Sequence, residues 1–395
     1  MVVSGLSYEG PTFNRCSYSS VNFEDDHGCI RCGRYRNKCE HICKSRLIRI
    51  TILTLKVVIV LNLALFVIIP LIFKFSYTLQ RKAVFLNYGP VSLKIAAMLN
   101  FNLPKNGNYS DPELFGLKGA RNLVLDNNGV KLGVWQILPF QLASNKTSDE
   151  FFDSSLKNGQ NVIVYNHGNA GSRATGHRVE LYKFLRKYFH VISFDYRGYG
   201  DSSIDPPPTE EGVVSDCVYI VNWIRRKISP DSHVFLWGHS LGTSITLGAV
   251  KELKKKGFVP SGVILEAPFN NMHDEIAEFP PTLLFRHLPW FDACIVDPII
   301  ESGFRFQSDE YILDVDCPIL ILHAEDDGTV PYKLGKKLFE VASEKRSEYQ
   351  GSVQLQTFQK KFHYGHRYIV TSPELSEIVQ NFIKNAINET NALQL

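Results

Sequence analysis

Two phosphate-cradling signatures are missing from this chain: it has no G-x-x-x-x-G-K-[ST] loop and no G-x-G-x-x-G turn, so nucleotide chemistry lacks its usual sequence handle. Net charge is nearly absent as well. Lys and Arg number 43 against 40 Asp and Glu, a formal charge of +3 over 395 residues, which is too little for a nucleic-acid footprint. Cysteine is sparse beyond residue 50, where Cys217, Cys294 and Cys317 allow at most one internal disulfide and exclude a disulfide scaffold. No internal repeat or low-complexity tract is evident after residue 75. What is present is apolar: 44% of residues are hydrophobic, ample for one large α/β domain or two smaller ones.

Charge of one sign gathers in a single place. Arg31, Arg34, Arg36, Lys38, Lys44, Arg46 and Arg49 stand against the lone acid Glu40, just before the apolar run Val57–Phe73, VVIVLNLALFVIIPLIF. Ile48–Leu55 extends that run across Lys56, whose stem can carry its ammonium to the headgroups. The run is longer than a signal-peptide core, starts late and lacks a small-x-small cleavage site, so it reads as an uncleaved anchor. Lys74, Arg81 and Lys82 on the far side are fewer, which keeps the N-terminus cytosolic and gives a single-pass type II topology. The sequons at Asn108, Asn145 and Asn388 all fall on the lumenal or extracellular side, at expected loops or the tail. In the N-terminal tail, Cys29, Cys32, Cys39, His41 and Cys43 admit zinc or palmitoylation, while the composition favours a disordered tail with reduced thiols. The expected division is a tail over 1–46, an anchor over 47–75, a juxtamembrane linker over 76–119 and a catalytic domain over 120–390.

Within that domain Arg121–Leu125 and Val130–Leu138 flank Asp126-Asn-Asn-Gly129, the pattern of a hairpin. Strands are then expected at Asn161–Tyr165, His190–Phe194, Val234–Trp237, Gly262–Glu266, Pro318–His323 and Ser352–Phe358. Helices are expected at Thr175–Tyr188, Thr209–Ile228, Leu241–Lys254 and Tyr332–Glu344. A leading hairpin followed by βαβ units gives a mostly parallel, eight-stranded sheet wrapped by helices. Pro268–Asp316 has no clear strand but carries prolines among aromatics, which points to an insertion acting as a lid after the sixth strand. Phe279, Leu283, Leu284, Phe285, Trp290 and Phe291 are its candidates for lining an acyl channel.

The stretch VFLWGHSLGTSITLG, Val234–Gly248, holds the chemistry. A buried strand runs into Gly238-His239-Ser240-Leu241-Gly242 and then into a helix, the setting of a nucleophile elbow with Ser240 at its tip. A serine nucleophile needs an imidazole base and a carboxylate to orient it, in the chain order Ser, acid, His. Asp327 leaves the end of the strand Pro318–His323 and is preferred to Asp326 and Glu325 as the acid. His366 and His363 follow the last strand, and Gly365 gives His366 the turn that aims it; both remain candidates for the base. Oxyanion donors are expected at the backbone N–H groups of Leu241 and of Asn169, the latter in the loop His167-Gly-Asn-Ala-Gly171. His190 and Asp195 share the spacing of an acyltransferase box, but they span a strand into a turn and read as coincidence.

HGNAGSR, FDYRGYGDS, WGHSLGTS, ILEAPF and ILHAEDDGTVP resemble the α/β-hydrolases. With the N-terminal anchor, the chain is similar to the membrane serine hydrolases of the α/β-hydrolase domain-containing protein 12 family from about Phe73 to Leu375. The resemblance implies a serine lipase acting on lysophosphatidylserine and monoacylglycerols without cofactor or metal. It also implies an endoplasmic-reticulum membrane protein with a lumenal active site, the plasma membrane being the alternative. Its nucleophile, acid and base motifs match at Ser240, Asp327 and His366. The segment before His366 is shorter than the family's, which keeps His363 as an alternative base. An acyl-protein or acyl-CoA thioesterase is the second reading, and a non-catalytic lipid-binding module the third.

Overall fold

The computed structural model describes residues 30–87, 108–143 and 148–393, and it divides into two units, 1–66 and 67–395. In the first unit, Ile30–Leu63 is one helix. The sequence reading expects a disordered tail as far as residue 46, yet residues 30–46 are helical. No proline lies between residues 30 and 69, so a helix nucleated in the apolar run propagates toward the N-terminus unopposed. The stretch Lys44–Lys74, with mean hydropathy 2.8, is long and apolar enough to cross a membrane. Ile48, Leu53, Val57, Leu61 and Leu65 are all exposed along it, apolar on every face, as a helix solvated by lipid is. The Cys29–Cys43 set lies outside the described side chains, except for the exposed His41.

The second unit carries an eight-stranded sheet in the order β1-β2-β4-β3-β5-β6-β7-β8. The strands are β1 (Ala120–Asn127), β2 (Val130–Ile137), β3 (Val162–Asn166), β4 (His190–Phe194), β5 (Val234–His239), β6 (Gly262–Glu266), β7 (Ile319–Ala324) and β8 (Val353–Phe358). The expected hairpin forms β1 and β2, and β2 pairs antiparallel with β4; every other pairing is parallel. Because side chains alternate across a strand, the central strands feed two cores. Val162, Val164, Val234, Leu236, Val263, Leu265, Ile319 and Ile321 face one layer of helices. Ile163, Tyr165, Phe235, Trp237, Ile264, Leu320 and Leu322 face the other. These strands are buried on both faces, which is why they read as unbroken apolar runs rather than as alternation.

The segment expected as a linker is part of this unit. Ser76 caps the helix Tyr77–Val84, and Gln80 inside it donates to the carbonyls of Phe73 and Lys74 at 2.9 and 2.8 Å. Val84 and Phe85 enter the core, where the Phe85 ring packs edge-on to Phe304 and Phe306. Burial of that apolar pair docks what composition alone leaves as a tether. A helix at Leu375–Leu393, which the sequence reading does not assign, closes the chain, so Asn388 lies exposed on a helix and not in an open tail. Asn108 is exposed, and Asn145 lies outside the described residues. Cys217, Cys294 and Cys317 are buried free thiols.

Candidate active site

β5 is the central strand, flanked by β3 and β6, and its C-terminal end makes the elbow. Ser240 holds φ 54° and ψ −123°, a strained conformation for a residue with a side chain. Its N–H donates to the Glu266 carbonyl of β6 at 2.9 Å, and its own carbonyl accepts from Thr243 N–H at 2.9 Å. The flanking glycines are explained by clearance. A Cβ on Gly242 would lie 2.1 Å from the Asn166 carbonyl oxygen, and one on Gly238 would lie 2.5 Å from the Gly242 oxygen. The helix Leu241–Lys255 starts at the next residue, so its first N–H groups, without intrahelical acceptors, open toward the same point.

The acid loop follows β7, where its three carboxylates have separate partners. Glu325 accepts from Lys360 N–H at 3.0 Å, and Asp326 accepts from Gly365 N–H at 3.1 Å. Asp327 Oδ1 takes the N–H groups of Thr329 and Val330 at 2.8 and 2.9 Å, leaving Oδ2 for His366 Nδ1 at 2.7 Å. Burial by itself would raise the Asp327 pKa. The positive charge that His366 gains on protonation, with hydrogen bonds from His323 and His366, outweighs it and holds the carboxyl far below the usual range. Asp327 is therefore an ionised carboxylate fixed against one ring nitrogen. His366 is the imidazole brought to it. His363 is exposed, in a left-handed conformation (φ 56°) that ends the turn Lys360–Phe362.

The loop after β3 is built around a buried arginine that the sequence reading overlooks. Arg178 donates to the carbonyls of Gly168, Ala170 and Ser172 at 2.8, 2.7 and 2.8 Å. These bonds collect the loop's oxygens on one side, while the N–H groups of Ala170 and Ser172 donate to Asn169 Oδ1 and Thr175 Oγ1 at 2.9 and 3.0 Å. The Asn169 side chain accepts from Leu86 N–H and the Tyr199 hydroxyl, both at 2.9 Å, and donates to the Val84 carbonyl at 2.6 Å. The segment expected as a linker thus pins the loop His167–Gly171. Only long-range contacts reveal it, although a buried Arg two residues after Gly176 is a signal that something accepts from it.

His190 and Asp195 lie at opposite ends of β4 and have different partners: His190 faces Asn158 at 3.3 Å, while Asp195 pairs with Arg173 at 2.5 Å. Among the described residues no group of three His, Cys, Asp or Glu is placed to hold a metal. The insertion between β6 and β7 comprises the helix Met272–Glu278 and shorter helical turns through Asp314, among them Asp297–Glu301 and Ser308–Tyr311. Its acyl-channel candidates divide: Phe291 is buried, Phe279, Phe285 and Trp290 are half-buried, Leu283 is exposed, and Leu284 is 85% exposed.

A family model described as the alpha/beta hydrolase fold matches residues 161–299. A lysophosphatidylserine lipase ABHD12 from Danio rerio is 36% identical over 334 residues, covering 84% of each chain. Its Xenopus tropicalis counterpart is 38% identical over 335 residues, 84% of this chain and 83% of the relative. The human protein ABHD12B is 36% identical over 258 residues, 65% of this chain and 70% of its own. Among solved structures, an α/β hydrolase from Vibrio vulnificus superposes with a TM-score of 0.52 at 18% identity, over 74% of this chain and 94% of its own. The Pyrococcus furiosus esterase Pf2001 superposes at 0.51 and 18%, over 72% and 97%. At such identity these two speak to the fold alone.

Proposed function

The chain belongs to the family of ABHD12 lysophosphatidylserine lipases, within the α/β-hydrolases, and from that premise we propose a membrane-anchored serine lipase that cleaves acyl esters of lysophosphatidylserine and monoacylglycerols. It is an enzyme of the lipase and esterase class, which sets aside the non-catalytic lipid-binding reading. The observation that carries the proposal is the 2.7 Å contact between His366 and Asp327 in the loops beside the strained Ser240 elbow. With Asp327 fixing a proton on Nδ1, Nε2 of His366 is left as the base.

In the proposed reaction Ser240 Oγ attacks the acyl carbonyl as His366 Nε2 takes its proton. The N–H groups of Leu241 and Asn169 receive the oxyanion, each such donor being worth about 2.7–4 kcal/mol in the transition state. Collapse expels the glycerol oxygen, which leaves with the proton from His366, and an acyl-Ser240 ester remains. Water, deprotonated by the same base, attacks that ester; fatty acid departs and Ser240 recovers its proton. Phe279, Leu283, Leu284, Phe285, Trp290 and Phe291 are proposed to line the acyl channel beneath a lid spanning 268–316. The type II topology is supported by the basic cluster Arg31–Arg49 at the N-terminal side of the apolar run and by exposed Asn108 and Asn388; the endoplasmic reticulum is proposed on the family resemblance.

The test is hydrolysis by membranes carrying the wild type or Ser240→Ala, offered lysophosphatidylserine, monoacylglycerol and an acyl thioester. Release of fatty acid from the two esters in a Ser240-dependent manner is expected. Turnover of the thioester alone would replace the lipase by the thioesterase reading.

A further inference from the structure

We propose that His239, between Gly238 and the nucleophile, is a positioning residue that fixes the loop of the catalytic base through its own imidazole. The proposal rests on the assignment of Ser240, Asp327 and His366 as the triad. His239 ends β5 and is buried, with Nε2 2.8 Å from the backbone oxygen of His366. A carbonyl only accepts, so the His239 proton sits on Nε2 and donates to it. Nδ1 is buried without a hydrogen-bond partner, which fits the same tautomer as a lone pair facing no donor. Burial, with the charge of protonated His366 second, pushes the His239 pKa well below its ordinary value, so the ring stays neutral through a catalytic cycle.

The ring meets all three working loops. It precedes Ser240 in sequence, its centroid is 4.7 Å from that of His366, and the oxyanion loop closes on it at Gly168. A Cβ on Gly168 would lie 2.8 Å from His239 Nδ1 and 3.1 Å from Ser240 Cβ, so glycine is required for this contact. The loop of the base needs such a hold. Both His363 and Gly365 have left-handed φ values, 56° and 52°, and the Asp326 bond to Gly365 N–H lies before His366 rather than on it. Asp327 fixes the His366 ring; His239 fixes the main chain that carries it. Misplacement of a reacting group by 1 Å costs on the order of 10²-fold in rate.

The experiment uses the full chain in membranes. It measures the rate of Ser240 labelling by a fluorophosphonate, kcat and KM on monoacylglycerol, and the melting temperature. His239→Phe keeps the ring and loses the donor, whereas His239→Gln keeps an N–H near the Nε2 position. His239→Phe is expected to lower the labelling rate and kcat by about 10–100-fold with KM within about twofold, and His239→Gln to recover most of that loss. A ring that merely fills space predicts the reverse order, with Phe tolerated; that result, or an equal loss in both variants, overturns the proposal. If melting shows His239→Phe to be unfolded, His239→Met, which also lacks a donor, takes its place in the comparison. Undiminished labelling of Ser240→Ala would overturn the triad assignment and this proposal with it, whereas loss in Ser240→Ala with full activity in His239→Phe would overturn this proposal alone.

Discussion

The loops at the strand ends and the first turns of the insertion between β6 and β7 are held by different means. In the loops, Ser240 and Asp327 are buried, glycines clear the approach of backbone to backbone, and hydrogen bonds from the main chain fix Asp327. In the insertion, the helix Met272–Glu278 is fastened by ion pairs of partly exposed side chains, Asp274 with Lys337, and Glu278 with Lys333 at 2.6 Å and Arg286 at 2.8 Å, whereas Ile299, Phe304, Phe306 and Ile312 further along are buried in the core. Its apolar tip, Leu283 and Leu284, stays exposed among the described residues. Pairs of that kind contribute about 0–1 kcal/mol each and weaken with salt. The proposed lid needs this contrast, a fixed site beside an exposed apolar tip able to meet a long, flexible chain.

The largest effect should come from the rigid side. Gly242→Ala drives a Cβ against the Asn166 carbonyl, which is backbone and cannot turn aside. Overpacking costs about 1–3 kcal/mol where side chains yield, and more is expected here, with activity abolished. Thermal melting and fatty-acid release check this; a stable, active variant would mean that the elbow is not the tight junction described. Asp327→Asn comes next. It removes the charge that fixes the His366 tautomer and should lower kcat by about 10³–10⁴-fold, as such a change does in serine proteases. Asp326→Asn, which loosens one backbone contact, should cost far less, and equal losses would show that the two acids do not differ in role.

The cover should respond differently. Leu283→Ser with Leu284→Ser is expected to shift stability by less than about 0.5 kcal/mol, since both are exposed surface positions. Turnover of long-chain esters should nonetheless fall roughly tenfold, the equivalent of about 1.4 kcal/mol and within what burying one such side chain against lipid supplies. A short, soluble ester should be spared. The buried Phe291 offers the contrast, because its replacement by Ala should cost about 3–5 kcal/mol of stability. Matching losses on long and short esters would make the leucines structural and remove the distinction between site and cover.

A smaller, pH-dependent effect lies where the two regions meet. Burial, then the Asp327 charge, raises the Glu275 pKa to about 8, and burial raises Glu266 to about 7 despite a hydrogen bond from Trp237. The unfolded chain loses these protons near pH 4.5 and the folded one retains them, so their ionisation lowers stability as pH rises from about 4.5 to about 8. The imidazoles of His167, His177, His190 and His239, lowered by burial, act in the opposite sense below about pH 6.5. The difference in melting temperature between Glu275→Gln and wild type should therefore move steadily in favour of the variant from pH 5 to pH 8. A constant difference would place Glu275 in contact with solvent.

Much of the rigid region was legible in the chain, for physical reasons. Strands buried on both faces read as continuous apolar runs, and an elbow that permits no side chain at two positions leaves Gly238 and Gly242 as its mark. His190–Phe194 and Gly262–Glu266 were expected at the boundaries they have. The contacts that fasten the site were not legible, because each joins residues far apart in sequence: Arg178 to the loop carbonyls, Val84 and Leu86 to Asn169, His239 to the main chain of His366. The choice between His366 and His363 needed the same kind of information, namely which ring the fold turns toward Asp327. Tyr77–Val84 was missed because its helix is short and is completed by docking rather than by its own periodicity.

The nucleophile is tested most directly by identifying, by mass spectrometry, the residue modified when the full chain in membranes is treated with a fluorophosphonate. The predicted result is a single adduct on Ser240, lost in Ser240→Ala and formed at least about 10²-fold more slowly in His366→Ala, with His363→Ala behaving as wild type. An adduct on another serine, or loss on removing His363 with His366 dispensable, would contradict it.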